Sequence, residues 1–360
     1  MRIFPPAVLL TTLFAASAQA SLFSQFVIFG DSLSDNGNAY IGTLGNPPGP
    51  VPPDYTVFPP FSPTGLGRFT DGPDTSPSTT MPGLIWNEVL AGMLGVSPAE
   101  PSLLPPPNSG TNFAIGGAQV LATVPTPFGP IPSLQAQVGE YLAGTGDHAD
   151  PNALYILWGG ANDLYNAVET AGETPAQIAA TEAAMVCLPS VSGCTASLPD
   201  DIAALAAAGA KDFLWLNLPQ LATTPRGAAD VAGVSGPVGA AFTNASTQFA
   251  TDVAGDSALL DSLLGVTIAD VDIYGLYQAI LADPLAFGYH NVTGFAQGNA
   301  SADPDQYLFW DYDSHPTTTG HILIANAADA SVLSTFVPEP ATWAAGLGLL
   351  AVLWRWRSRV

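Results

Sequence analysis

Ser32, Asn162 and His315 lie far apart in the chain, yet each sits where an apolar run gives way to small or polar residues. Ser32 follows Phe26-Val27-Ile28-Phe29 through Gly30-Asp31, and Asn162 follows Ala153-Leu154-Tyr155-Ile156-Leu157 through Trp158-Gly159-Gly160-Ala161. His315 ends the stretch Phe309-Trp310-Asp311-Tyr312-Asp313-Ser314. A further block, Asn112-Phe113-Ala114-Ile115-Gly116-Gly117-Ala118, falls between the first two. These residue types suit the cleavage of an ester, which needs a nucleophile, a base for its proton, and donors for the oxyanion of the tetrahedral intermediate. Singly, each block has a plainer reading. Gly-Asp-Ser makes ordinary turns, Gly116-Gly117 suits a loop, Asn162-Asp163 could cap a helix, and His315 could be a turn residue before Pro316. The order of all four, each beside an apolar run or a turn, favours the chemical reading.

The elements that must position these residues follow from the apolar pattern. Short apolar runs bounded by turn residues predict buried strands at Phe26–Phe29, Ala153–Trp158, Phe213–Asn217 and Val266–Val271. Helices are predicted at Leu84–Leu94, Leu134–Leu142, Thr174–Met185, Ile202–Ala208 and Val238–Ala254, and a last one begins near His321. Strands alternating with helices imply a parallel sheet covered on both faces. In such sheets ligands bind beyond the carboxyl ends of the strands, where Ser32 would be lifted. Asp31 and Asp163 read as supports of their turns. The Pro-rich segment 46–63 fits neither a regular helix nor a central strand. Its Tyr55, Phe58 and Phe61 either wall an acyl site or pack onto the domain.

The four blocks resemble the GDSL or SGNH family of serine esterases and lipases, from Phe23 to Val332. The segments Gly67-Arg68-Phe69-Thr70-Asp71-Gly72 and Asn217-Leu218-Pro219-Gln220-Leu221 belong to the same likeness, and the start Gly30-Asp31-Ser32-Leu33-Ser34-Asp35-Asn36-Gly37-Asn38 with the second of these segments resembles the lipase and phospholipase-like branch. The resemblance implies a flavodoxin-like three-layer α/β/α sandwich. It also implies Ser32 as nucleophile, His315 as general base, and an oxyanion hole from the Ser32 N–H, the Gly117 N–H and the Asn162 side chain, with Gly116 the alternative glycine. The family places its triad acid three residues before the histidine, where this chain has Tyr312. Asp311, with a one-residue bulge after it, is favoured over Asp313. The implied substrate is an acyl ester, with O-acetylated polysaccharide as an alternative. A non-catalytic surface or matrix protein on the same scaffold is the rival class.

Composition bounds the rest. The chain carries 30 acidic and 7 basic residues, a formal charge of −23. Four of the basic residues lie in the end segments, leaving Arg68, Lys211 and Arg226 in the body. Such a body repels phosphate backbones, which argues against a nucleic-acid partner. The two cysteines, Cys187 and Cys194, and the absence of a His/Glu ligand pattern argue against a metal, and no cofactor motif is present. Residues 1–20 read as a secretory signal peptide: Met1-Arg2, an apolar core, then Ala18-Gln19-Ala20. In an exported protein the cysteine pair reads as a local disulfide, with free buried thiols as the alternative. The hydrolase domain spans 21–336 and reads as a monomeric body. Residues 337–360 contain Pro338-Glu339-Pro340, an apolar stretch and Arg355, Arg357 and Arg359. This tail resembles the PEP-CTERM sorting signal of Gram-negative bacteria. That likeness implies a membrane sorting protease as partner and a surface, outer-membrane or matrix destination; a retained membrane helix is the alternative.

Overall fold

The computed structural model describes residues 21–42, 67–71, 83–104, 106–107, 109–127, 129–189, 194, 196–299 and 301–337. The leader, the Pro-rich segment and the tail beyond Val337 therefore lie outside the described residues. The elements run in the order β1 (Phe26–Gly30), α1 (Asn38–Gly42), α2 (Trp86–Leu94), α3 (Leu134–Thr145), β2 (Leu154–Trp158) and α4 (Ala161–Glu169). Next come α5 (Pro175–Met185), α6 (Leu198–Ala207), β3 (Asp212–Leu216), α7 (Pro225–Gly233), α8 (Gly236–Leu264) and β4 (Thr267–Val271). The chain then forms α9 (Ile273–Ala282), β5 (Asn291–Phe295), β6 (Tyr307–Phe309) and α10 (Thr318–Phe336).

β1 to β4 form one parallel sheet in the spatial order β1-β2-β3-β4. Every residue of β1 and β2 is buried. Successive side chains point to opposite faces, so both faces are covered, which explains the continuous apolar runs. α3 packs against β1 and α6, α8 against β3 and β4, and α10 against β4 and α2. The result is a sheet between two helical layers, the expected α/β architecture.

Residues 111–115 add a ribbon along the free edge of β1. Ile28 N–H donates to the Thr111 carbonyl at 2.9 Å, and Phe113 N–H to the Ile28 carbonyl at 2.8 Å. Ile28 and Asn112 form a parallel bridge. Counting this ribbon, the spatial order in chain numbering becomes 2-1-3-4-5, the flavodoxin-like arrangement. Its topological switch point lies between β1 and β2, beside the ribbon. The Ser32, Gly117 and Asn162 blocks follow β1, the ribbon and β2, so the sheet order alone gathers all three there.

Helix ends differ in detail from expectation. α8 runs ten residues beyond Ala254 because Gly255 continues the helix; its C-terminus comes only at Gly265, in the left-handed conformation. α6 begins earlier than expected, at Leu198, since Ser197 caps it by accepting from Asp200 N–H and Pro199 suits its first turn. The periodicity had not indicated α7, α9 or the small β5–β6 pair. Cys187 and Cys194 form a disulfide, with Cα atoms 5.8 Å apart. Among the described residues no helix is long and apolar enough to cross a membrane.

Candidate active site

β1 ends at Gly30, which pairs with Trp158 of β2 and is held on its other side by a side chain as well as by Ile115 N–H. Gly30 N–H donates to Gln137 Oε1, and Gln137 Nε2 donates back to the Gly30 carbonyl, both at 2.9 Å. A Cβ at Gly30 would lie 2.6 Å from the Trp158 carbonyl oxygen, so only glycine permits this approach to β2. The chain then turns. The Asp31 carboxylate accepts from Leu33 N–H at 3.0 Å, and its carbonyl accepts from Ser34 and Asp35 N–H at 3.1 and 3.0 Å. This turn lifts buried Ser32 to the rim of a cleft of about 250 Å³. Burial pushes the Asp31 carboxyl up to about 7, as one N–H donor does not replace the lost water.

The buried Asp35 carboxylate fixes the loop that follows. It accepts from the N–H groups of Gly37 (2.8 Å), Asn38 (2.6 Å) and Ala39 (3.0 Å), and reaches across to Gly116 N–H at 2.8 Å. Asn112 adds a second tie, donating to the Ser34 carbonyl and Asn36 Oδ1, each at 2.8 Å. The first and second blocks are thus one hydrogen-bonded unit. Gly116 cannot serve as an oxyanion donor while its N–H is held by Asp35. Gly117, at φ +83°, keeps its N–H without an acceptor among the described residues, and so does Ser32. α4 joins the same unit: Asn162 Nδ2 donates to the Ala118 carbonyl at 2.9 Å, and Asp163 accepts from Val120 and Leu121 N–H at 2.9 and 3.0 Å. An amide nitrogen has two hydrogens, so Asn162 retains one beside the cleft it lines.

His315 comes from a hairpin-like reversal after β6. Trp310 N–H donates to the His315 carbonyl at 2.7 Å and Phe309 pairs antiparallel with Pro316, so residues 311–314 form the loop. Asp311 stands at the start of this loop and folds back on its end. Its Oδ1 accepts from His315 N–H at 3.1 Å, and its Oδ2 lies 2.7 Å from His315 Nδ1. His315 Nε2 lies 2.8 Å from Ser32 Oγ. Within this loop Ser314 takes φ +72°, while Tyr312 is exposed. Asp313 turns elsewhere, to Arg226 Nη1 at 3.6 Å. Burial disfavours the imidazolium, but the charge and hydrogen bond of Asp311 outweigh it and raise the His315 pKa above its ordinary 6.5.

Three contributors escaped the sequence. The Phe69 ring lies 4.9 Å from the His315 ring and limits its swing; a Cβ on Gly116 would lie 2.4 Å from the same ring. Its segment belongs to the family likeness, yet nothing in it signals a histidine contact. Phe69 is seated by buried His321, whose Nε2 lies 3.3 Å from the Phe69 carbonyl and whose Nδ1 is 3.3 Å from Trp86 N. Burial lowers the His321 pKa to about 3, so it is a neutral structural residue of α10, as its place in the first turn had suggested. Asp35 and Arg226 are the other two. Apolar cleft lining comes from Leu33, Pro219, Leu221, Tyr277 and Phe309. Tyr55, Phe58 and Phe61 lie outside the described residues.

The arrangement can pass a proton from a serine hydroxyl to an imidazole oriented by a carboxylate, with N–H groups facing the same cleft. Among the described residues no group of three His, Cys, Asp or Glu side chains is placed to hold a metal.

Comparison with known proteins gives a family match. The profile of the GDSL-like lipase/acylhydrolase family matches residues 26–328. Lipase 1 of Photorhabdus luminescens is 26% identical over 391 residues, covering 90% of this chain and 52% of that protein. Esterase EstA of Pseudomonas aeruginosa is 28% identical over 365 residues, covering 91% and 50%. The chain thus spans about half the length of these relatives. A solved extracellular lipase from Streptomyces rimosus is 15% identical, with 85% of this chain and 99% of that one covered and a TM-score of 0.38.

Proposed function

The chain belongs to the GDSL-like lipase/acylhydrolase family, and from that membership we propose that it is an exported serine hydrolase of carboxylic esters. The observation that carries the reading is the line of contacts Asp311–His315–Ser32, at 2.7 and 2.8 Å. Ser32 Oγ attacks the ester carbonyl carbon while His315 Nε2 takes its proton. The carbonyl oxygen becomes an oxyanion held by the N–H groups of Ser32 and Gly117 and by Asn162 Nδ2. Collapse expels the alcohol, which takes the proton from His315 and leaves Ser32 acylated. Water, deprotonated by His315, then releases the acid and restores Ser32. The names of the relatives, a lipase and an esterase, support ester hydrolysis.

Turnover of p-nitrophenyl acyl esters tests this directly. Measurable hydrolysis supports the reading; its absence across acetyl to palmitoyl chains supports the rival, a matrix protein on a hydrolase scaffold. A preference for acetyl would favour an O-acetyl esterase over a lipase. Asn162→Ala is expected to lower kcat by about 10²–10³ with little change in KM, because the oxyanion forms only on the way to the transition state. An Asn162→Ala enzyme with normal kcat and raised KM would remove Asn162 from the oxyanion hole.

The leader at 1–20 and the tail at 337–360 support export and delivery to the surface of a Gram-negative cell, with a sorting protease acting near Glu339. Intact mass of protein from the native host is expected to lack the tail. A terminus at Val360 would mean retention instead.

A further inference from the structure

Arg226 is one of three cations between residues 21 and 336, and it lines the cleft that holds Ser32 and His315. Its side chain joins two separate parts of the site. On one side lies α4: Arg226 Nε donates to Glu169 Oε1 at 2.8 Å, Nη2 meets the same oxygen at 2.8 Å, and the guanidinium stacks over the Tyr165 ring at 4.4 Å. Asn162, Tyr165 and Glu169 recur at the three- and four-residue spacing that shares one helical face. On the other side lies the 311–315 loop: Nη1 is 3.6 Å from Asp313 Oδ1, and the Arg226 backbone N–H donates to Ser314 Oγ at 3.2 Å. Ser314 is the residue held at φ +72°, a conformation that side-chain-bearing residues rarely adopt without outside support.

We propose that Arg226 is a positioning residue that clamps the loop carrying Asp311 and His315 to the helix carrying Asn162. The proposal rests on the hydrolase reading for its catalytic consequence. The loop puts three residues between acid and base, and the left-handed turn at Ser314 must be held for Asp311 to reach His315 Nδ1 while Nε2 reaches Ser32. Arg226 holds this loop at two adjacent residues, its backbone N–H at Ser314 and its side chain at Asp313. The base and the oxyanion donor then hold a fixed separation across the cleft. Arginine suits the task because a planar fork can meet two carboxylates and stack on a ring at once, whereas a lysine ammonium cannot. The carboxylates of Glu169 and Asp313 are each 42% exposed, so these pairs add little to folding and their value is geometric. The α7 end is itself anchored, since Tyr165 Oη and Thr224 Oγ1 lie 2.8 Å apart and Thr224 caps α7.

The test compares Arg226→Met and Arg226→Lys with the parent, using p-nitrophenyl butyrate turnover and the downfield proton resonance of His315 Nδ1–H. Arg226→Met is expected to lower kcat about 10- to 100-fold, as small misplacements of reacting groups do, with KM nearly unchanged. The Nδ1–H resonance should exchange with water about tenfold faster as the pair loosens. Arg226→Lys should keep the parent melting temperature yet recover only part of kcat. Both variants matching the parent in kcat and resonance would overturn the clamp. A loss confined to KM would also overturn it, since Arg226 would then be contacting substrate. A parent without esterase activity refutes the hydrolase reading alone; the resonance still decides the clamp.

Discussion

Replacing Ser32 or His315 by alanine is expected to lower turnover of an acyl ester by about 10⁶-fold, because nucleophile and base act as one unit. The double variant should then be no worse than either single one, since the second removal takes away a function already lost. The two single variants differ in stability. Ser32→Ala deletes one hydroxyl at the cleft rim, so its melting curve should overlay that of the parent. His315→Ala removes the 2.7 Å imidazole donor from the buried Asp311 carboxylate, which keeps the backbone N–H at position 315, and losing that one buried bond costs about 1–3 kcal/mol. Calorimetry beside kinetics separates the cases. Additive losses, or substantial activity in Ser32→Ala, would contradict a shared proton path.

Asp311→Asn is expected to cost about 10⁴ in kcat, since an amide favours the imidazole tautomer that cannot accept the serine proton. Asp313→Asn should cost less than about tenfold: Asp313 faces Arg226, and the asparagine oxygen still accepts there. The opposite order would move the triad acid to Asp313. The pH profile gives an independent sign. His315 must be neutral to act, so kcat/KM rises with pH through its pKa, and that limb should lie above 6.5 in the parent. Burial alone lowers the value, and Asp311 is the chief group opposing it. Asp311→Asn should therefore move the limb to lower pH even as it depresses the plateau. Asp313→Asn should move it less.

Much of this was visible in the sequence because its causes are local. The runs at Phe26, Ala153 and Phe213 gave β1 to β3 because strands buried on both faces must be nearly continuously apolar, while β4, at the sheet edge with Asp270 exposed, was marked by Ile268, Ala269 and Val271. The parallel order followed from the intervening helices. The edge ribbon at 111–115 was not legible, since it adds to β1 through a few bonds and carries the second block within it. The choice between Gly116 and Gly117 had no local signal, since what distinguishes them is the long-range bond from Gly116 N–H to Asp35. Asp311 and Asp313 were hard to rank for a different reason. The loop between acid and base turns on a serine at positive φ, where glycine or asparagine would have announced the bend. Arg226, Phe69 and His321 act across the fold through contacts that no spacing in the chain encodes. The disulfide between Cys187 and Cys194, left open against free thiols, is formed.

The most direct measurement is covalent labelling of the folded protein with a fluorophosphonate, followed by mass mapping of the adduct. An activated serine attacks phosphorus as it attacks an ester carbonyl, and ordinary serines do not. A single adduct on Ser32, abolished in Ser32→Ala and strongly slowed in His315→Ala, is the expected result. No adduct, or an adduct on another serine that persists in Ser32→Ala, would contradict the account.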